Sequence, residues 1–336
     1  MSKPKVVMTR RILDPGPSII SESCNLYIRE EKKPPTKQEV IELVKDADAL
    51  LCLISEKIDK DVLDAGKKLR VVSTMSVGFD HVDVAEATKR GIYVCYTPGV
   101  LTQATAEMAW TLMMAAARRV VEADKYIREG NWKIAWAPDM FLGYHLYGAT
   151  LGIVGLGRIG LAIAERARGF NMKITYYDTI RRPDLEKQYD IEYCELNDLL
   201  KRSDFVTIHV PRTPETIGLI NEERLKIMKP TAVLVNTSRG GIIDEKALYK
   251  ALSNGWIFGA GLDVFESEPT PVDNPLLKLP NIVVAPHIAS ATHQARSKMS
   301  EVAALNLVKV LKGEEPLFLV NQDVKKVRSL EKVKMI

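Results

Sequence analysis

The sequence predicts an α/β protein built from two doubly wound parallel-sheet domains. Three observations carry this. The chain has 336 residues, room for two domains at roughly 150 residues each. Short β-branched runs alternate with helical patterns from end to end, as βαβ units require. Runs such as Ala-Val-Leu-Val at 232–235 are apolar without alternation, which suits strands covered on both faces.

Taken in order, a first series of strands is expected at 5–8, 49–53, 71–74 and 92–95, with helices at 37–45 and 82–90. A second series is expected at 150–154, 173–177, 205–209, 232–236, 259–263 and 282–285, with helices at 160–169 and 245–253. The longest helical pattern runs from 101 to 127 without Gly or Pro. As one helix it would be about 40 Å long, enough to run between domains. A terminal helix over 293–312 ends at Gly313. The basic tail 323–336 carries Val324, Val327, Leu330 and Val333 at helical spacing. It reads as a solvated or loosely docked tail before it reads as a membrane-surface helix.

Composition excludes several classes. The apolar share of 46% and charged share of 27% are those of ordinary globular proteins, not of disordered or collagen-like chains. The formal charge of +4 is spread thinly, so no nucleic-acid partner is expected. The most apolar stretch, 109–117, is far too short to span a bilayer. Cys24, Cys52, Cys95 and Cys194 form no CxxC pair. Cys52 and Cys95 sit in apolar runs and are expected as buried thiols. This usage, with no signal peptide at the start, points to a reducing cytoplasm.

The first chemical motif is LGIVGLGRIG at 151–160. The GxGxxG triplet Gly155, Gly157 and Gly160 follows an expected strand and opens an expected helix, which is the context that gives it meaning. Gly155 allows a tight turn, Gly157 lets the backbone approach a pyrophosphate, and Gly160 lets helix and strand pack closely. The helix N-terminus offers N–H groups to the phosphates. Asp178 ends the next strand and can bind an adenosine ribose while repelling a 2′-phosphate, which favours NAD. Arg181 and Arg182 follow closely, so NADP stays possible.

Three later segments, VNTSRGGIID (235–244), GLDVFESEP (261–269) and APHIAS (285–290), place Arg239, Glu268 and His287 just after three successive expected strands. In a doubly wound sheet these strand ends face one crevice. A guanidinium can fork a carboxylate, and an imidazolium can give a proton to a carbonyl oxygen. A neighbouring glutamate favours the protonated imidazole; Glu266 is the other residue able to take that place. His81, His145, His209 and His293 have no second motif member at ligand spacing, and no metal site is expected.

These segments, with SVGFDHVDV (76–84), TPGVLTQATAEMAW (97–110), WAPDMFLGYHLYG (136–148) and HVPRTPETIGLI (209–220), resemble the D-isomer-specific 2-hydroxyacid dehydrogenase family over about 1–320. Within it the chain is most similar to archaeal-type glyoxylate/hydroxypyruvate reductases. The resemblance implies a dinucleotide-binding Rossmann domain at 101–287, inserted into a flavodoxin-like substrate domain made of 1–100 and 288–336. It implies Arg239 as the substrate clamp, His287 as acid/base and Glu268 as its partner. Asp263 would hold the nicotinamide carboxamide. Thr105, Pro211 and Thr216 would line the cofactor, with Arg158, Ile159, Thr237, Ser238, His287 and Ala289 beside it. Leu53, Ser76, Val77 and Gly78 would meet the substrate. Trp136 resembles a residue that reaches a partner subunit's site, which implies a homodimer.

The implied reaction is NAD(P)H-dependent interconversion of a small 2-oxoacid, glyoxylate or hydroxypyruvate, with its D-2-hydroxyacid. A bulkier substrate such as phenylpyruvate or 2-ketogluconate would use the same residues, and a dinucleotide-sensing co-repressor is the binding-protein alternative. Three departures from relatives stand out. Ala289 replaces a frequent Gly, Ser238 replaces a frequent Ala, and Val77 stands where phosphite-oxidising relatives carry Lys.

Overall fold

The computed structural model describes residues 3–336. The chain forms two compact units, Met1–Leu101 with Ala291–Ile336, and Thr102–Ser290. Both are parallel α/β sheets wound on two faces, the class expected from the alternating pattern.

The first unit contains β1 (Lys5–Met8), β2 (Asn25–Ile28), β3 (Ala49–Cys52), β4 (Val71–Thr74) and β5 (Tyr93–Cys95). Their order is β2-β1-β3-β4-β5, the flavodoxin-like winding. β3, β4 and β5 are wholly buried, which is why they read as unbroken apolar runs. Cys52 and Cys95 lie in this core as free thiols.

The far end of the chain completes this unit. The helix His293–Leu311 packs over β3, β4 and β5. Ser73 donates to the Ala303 carbonyl at 2.8 Å and Asn306 donates to the Tyr96 carbonyl at 2.9 Å. Buried Asn321 accepts from the Val94 N–H at 2.8 Å and donates to the Ile92 carbonyl at 2.9 Å. The tail departs from the loose docking expected of it. It forms short helices Val324–Val327 and Leu330–Val333, and Val324 and Val333 are fully buried. Arg70 donates to the Lys332 and Val333 carbonyls at 2.8 and 3.1 Å.

The second unit contains β6 (Thr150–Val154), β7 (Lys173–Tyr177), β8 (Glu192–Tyr193), β9 (Phe205–Ile208), β10 (Val233–Asn236), β11 (Gly259–Leu262) and β12 (Ile282–Val284). The sheet order is β12-β11-β10-β9-β6-β7-β8. This is the Rossmann winding with one further strand, and the strand order reverses between β6 and β9. All its pairings are parallel, so every strand delivers its C-terminal end to the same edge.

The expected 101–127 helix is two helices, Thr102–Ala117 and Val120–Arg128. Arg119 breaks it with a left-handed backbone, φ 54°, a conformation costly for a residue with a Cβ. Its side chain is anchored on two sides. The guanidinium binds Glu122 at 2.9 and 2.6 Å and lies 5.1 Å from the Phe141 ring centre. Among the described residues no helix is long and apolar enough to cross a membrane.

Candidate active site

The site is assembled on the second unit, where β6, β10, β11 and β12 end. After β6 the chain turns at Gly155, with φ 96°. A Cβ there would sit 2.8 Å from the His209 carbonyl carbon. The helix Arg158–Arg168 starts at once, with Gly157 as its N-cap. A Cβ on Gly160 would lie 2.2 Å from the Gly155 carbonyl oxygen, so the helix presses directly on the turn. A Cβ on Gly157 would meet no atom within 4 Å. The loop is closed on its protein side and open above Gly157, where Arg158 is exposed and Ile159 half-buried.

Asp178 stands just past β7 and accepts from the Leu156 N–H at 2.8 Å. The acid that ends the second strand is thereby tied to the glycine loop. Two buried polar atoms nearby in the fold lack hydrogen-bond partners, Thr237 Oγ1 and His209 Nδ1. His209 spends its Nε2 on Thr207 at 2.8 Å, and burial pushes its imidazole down to about 3, so it is neutral. Orphaned buried polar groups are costly, and a ligand bearing donors and acceptors satisfies them. With the open face of Gly157, they fit a bound dinucleotide. Thr216 accepts from the Thr213 N–H and donates to the Pro211 carbonyl, both at 2.7 Å, closing the turn that follows β9. Thr105 is buried in the helix Thr102–Ala117.

The candidate catalytic side chains come from the next three strands. After β10, buried Asn236 accepts from the Ser238 N–H at 3.0 Å and from its hydroxyl at 2.8 Å, and donates to the Arg239 carbonyl at 2.8 Å. The loop bearing Arg239 is thus bound to the strand it leaves. Gly240 lets that loop touch the loop after β11. A Cβ there would lie 1.7 Å from the Phe265 carbonyl oxygen. The β11 loop in turn carries Glu268, whose Oε1 accepts from the Phe265 N–H at 3.0 Å.

Glu268 Oε2 meets His287 Nδ1 at 2.6 Å. Burial alone would raise the Glu268 carboxyl. The hydrogen bond and charge of His287, the Phe265 N–H and the field of Arg239 together outweigh it and hold the group below its usual range. Glu266 is engaged elsewhere. Its carboxylate accepts from the Glu245 N–H at 3.0 Å, and its own N–H reaches Glu245 at 2.5 Å. The geometry therefore separates the two glutamates that the sequence left open.

His287 has a left-handed backbone, φ 55°, which a non-glycine residue adopts only when held there. Asp263, fully buried, does the holding. Its backbone carbonyl accepts from the His287 N–H at 2.8 Å. Its carboxylate accepts from Ile288 and Ala289 N–H, each at 2.7 Å. Burial raises the Asp263 carboxyl against the opposing pull of these bonds. Asp263 thus positions the loop that carries His287, a task the sequence did not reveal; Asn236 and Gly240 were missed likewise. A glycine doublet after an arginine was the available signal for Gly240.

In the first unit, Ser76 is buried after β4; it pairs with Thr74 at 2.8 Å and donates to the Gly78 carbonyl at 2.6 Å. Val77, Gly78 and Leu53 are half-buried. Buried Glu56, absent from the sequence-derived set, accepts from the Leu53 N–H at 2.5 Å and from Thr9 at 2.8 Å. Trp136 is 76% exposed. Among the described residues no cluster of three His, Cys, Asp or Glu could hold a metal.

The family model described as "D-isomer specific 2-hydroxyacid dehydrogenase, NAD binding domain" matches residues 110–289, more than half of the chain. This chain belongs to the D-isomer-specific 2-hydroxyacid dehydrogenase family. It is therefore an NAD(P)-dependent oxidoreductase, and the resemblance read from the motifs holds. This dehydrogenase is 59% identical over 326 residues to a glyoxylate reductase of Korarchaeum cryptofilum, covering 97% of this chain and 98% of that one. It is 56% identical, over the full length of both, to a glyoxylate reductase of Thermofilum pendens. Among solved structures it is similar to an NADPH-dependent glyoxylate/hydroxypyruvate reductase of Sinorhizobium meliloti in complex with NADP and malonate. That match has a TM-score of 0.84 and 33% identity, over 96% of this chain and 98% of that one.

Proposed function

We propose that this dehydrogenase reduces glyoxylate or hydroxypyruvate to the D-2-hydroxyacid. The observation that carries the reading is the 2.6 Å contact between His287 Nδ1 and Glu268, which leaves Nε2 as the imidazole's donor toward substrate. Relatives named glyoxylate reductase, alike over nearly the whole chain, support the small substrate.

In this reading Arg239 forks the substrate carboxylate. The Ser76–Gly78 segment keeps the carboxylate-binding role that the resemblance assigns it, and Leu53 its place beside the substrate. Arg158, Ile159, Thr237, Ser238, Pro211, Thr216, Thr105 and Ala289 keep their assignment to the cofactor. A nicotinamide held at this site would supply the hydride that C2 receives. Protonated His287 gives its proton to the C2 oxygen, and ionised Glu268 stabilises the imidazolium before transfer. Asp263 holds the His287 loop in place for this step. The domain assignment follows, with 101–287 for the dinucleotide and 1–100 plus 288–336 for the substrate.

The test is a kcat/KM panel of glyoxylate, hydroxypyruvate, phenylpyruvate and 2-ketogluconate. Glyoxylate or hydroxypyruvate should lead; a lead for phenylpyruvate or 2-ketogluconate overturns the substrate assignment.

The active form in this reading is a homodimer in a reducing cytoplasm. Four free thiols suit that compartment. Val120, Val121, Ile127, Ile134, Trp136 and Leu142 are each more than half exposed within one short segment, more apolar surface than a monomer usually shows in one place. A second copy is the occupant proposed for it. Light scattering should give twice the 37.5 kDa chain mass, and Trp136→Asp should shift the mass toward the monomer. A wild-type monomer overturns this assignment.

A further inference from the structure

The loop after β7 carries two arginines a few residues past Asp178, and both are committed. Arg181 binds Glu186 through Nε and Nη2, each at 2.8 Å. Its guanidinium also lies 5.6 Å from the Tyr193 ring centre. Arg182 binds Asp184 through Nε and Nη2 at 3.2 and 2.9 Å. Glu186 is only 16% exposed although Arg181 is 61% exposed. The anchor of the pair is therefore the glutamate.

That anchor is fixed from below. Tyr176 in β7 is fully buried, and its hydroxyl donates to Glu186 Oε1 at 2.8 Å. The same hydroxyl accepts from the Arg182 N–H at 2.7 Å. One oxygen thus ties the loop backbone and the Glu186 side chain to the strand. The Tyr176 and Tyr193 rings meet edge to face, with centres 5.5 Å apart, so the surface under Arg181 is rigid as well. A guanidinium held bidentate and stacked has little freedom to turn toward a new anion.

We propose that Tyr176 and Glu186 form a latch that holds Arg181 away from the adenosine ribose, making Glu186 a specificity determinant against 2′-phosphorylated dinucleotides. Asp178 supplies the repulsive half of this selection. The latch supplies the other half by withholding the cation that a 2′-phosphate needs. Specificity obtained by denying the wrong ligand its partner is as effective as specificity gained from contacts to the right one. The inference rests on the dinucleotide reading of this site.

The test measures dissociation constants of NADH and NADPH by nicotinamide fluorescence, without turnover. Four proteins form a cycle: wild type, Glu186→Gln, Asp178→Ser and the double variant. Gln keeps an acceptor for Tyr176 but gives up the charge that holds Arg181. Wild type should bind NADH more tightly than NADPH. In the Asp178→Ser background, Glu186→Gln should tighten NADPH by about tenfold, the scale of one charge-assisted hydrogen bond. NADH should move by less than about threefold. Adding Arg181→Ala to the double variant should cancel the gain. Equal NADPH affinity with and without Glu186→Gln in that background overturns the latch, as does a parallel change for both cofactors. If wild type binds neither cofactor, the dinucleotide reading falls first and takes the latch with it.

Discussion

The loop after β6 and the loops after β10, β11 and β12 end at the same sheet edge but are made differently. The first works by lacking side chains. Gly155 turns, Gly160 packs, and Gly157 leaves open space. The second set works through side chains, and its backbone exists to aim them. Asn236 binds the Arg239 loop, Gly240 presses that loop on Phe265, and Asp263 holds the His287 loop. A cofactor's phosphates can be met by any N–H that reaches them, whereas a proton transfer needs one atom at one place. The two regions should therefore differ in what breaks them.

The largest effect is expected from Gly240→Ala. Its Cβ would overlap a backbone carbonyl, so the β10 and β11 loops must separate. A cost above ~4 kcal/mol or a loss of kcat/KM beyond about 10³-fold is expected, read by thermal melts and steady-state kinetics. A variant with wild-type melting and kcat/KM within tenfold would show that the loops are not coupled. His287→Ala comes next, with kcat down by about 10²–10⁴-fold, the range of general acid catalysis. Near-normal kcat would remove His287 from the mechanism.

Arg239→Lys should raise KM by roughly tenfold or more with a smaller change in kcat, because an ammonium cannot fork; an unchanged KM counts against the clamp. In the first loop, Gly157→Ala should weaken NADH binding by about tenfold and move Tm by less than about 2 °C. A large fall in Tm would mean that this glycine serves the fold. The smallest effect concerns pH. Glu268 has a folded-state carboxyl below its ordinary 4.5, so it binds fewer protons folded than unfolded and adds stability above that value. The stability advantage of wild type over Glu268→Gln should shrink as pH falls through the folded value. An advantage that grows toward acid would reverse the assignment.

The candidate reacting groups stood out in the sequence because their residue types are rare in those places. An Arg, a Glu and a His each followed an expected strand, and the glycine triplet sat between a strand and a helix. What holds them was not legible. Asp263 reads as a ligand contact, and nothing in the sequence announces its two backbone bonds to the His287 loop; Gly240 matters because Phe265 arrives from another loop. The fold shows the same division. Buried strands announced themselves, while β2 and β8 did not. β2 (Asn25–Ile28) has no buried residue, and β8 is two residues long. The break at Arg119 was invisible because no residue there is a helix breaker; the turn is marked by a salt bridge to Glu122, three residues on, and by the Phe141 ring, which lies outside the local sequence.

The first unit's assembly from both chain ends bears on how the protein is made. Synthesis runs from the N-terminus, so β3, β4 and β5 emerge before the helix that covers them. The 189 residues between Leu101 and Ala291 must be added first, which takes roughly 10–40 s at ~5–20 residues per second. During that interval Ser73, the Tyr96 carbonyl and the Val94 N–H lack the partners that Ala303, Asn306 and Asn321 later provide. The N-terminal part of this unit is thus among the last to be sealed. The face of its early β-strands that the helix His293–Leu311 covers stays without that cover for as long as the inserted unit takes to be translated.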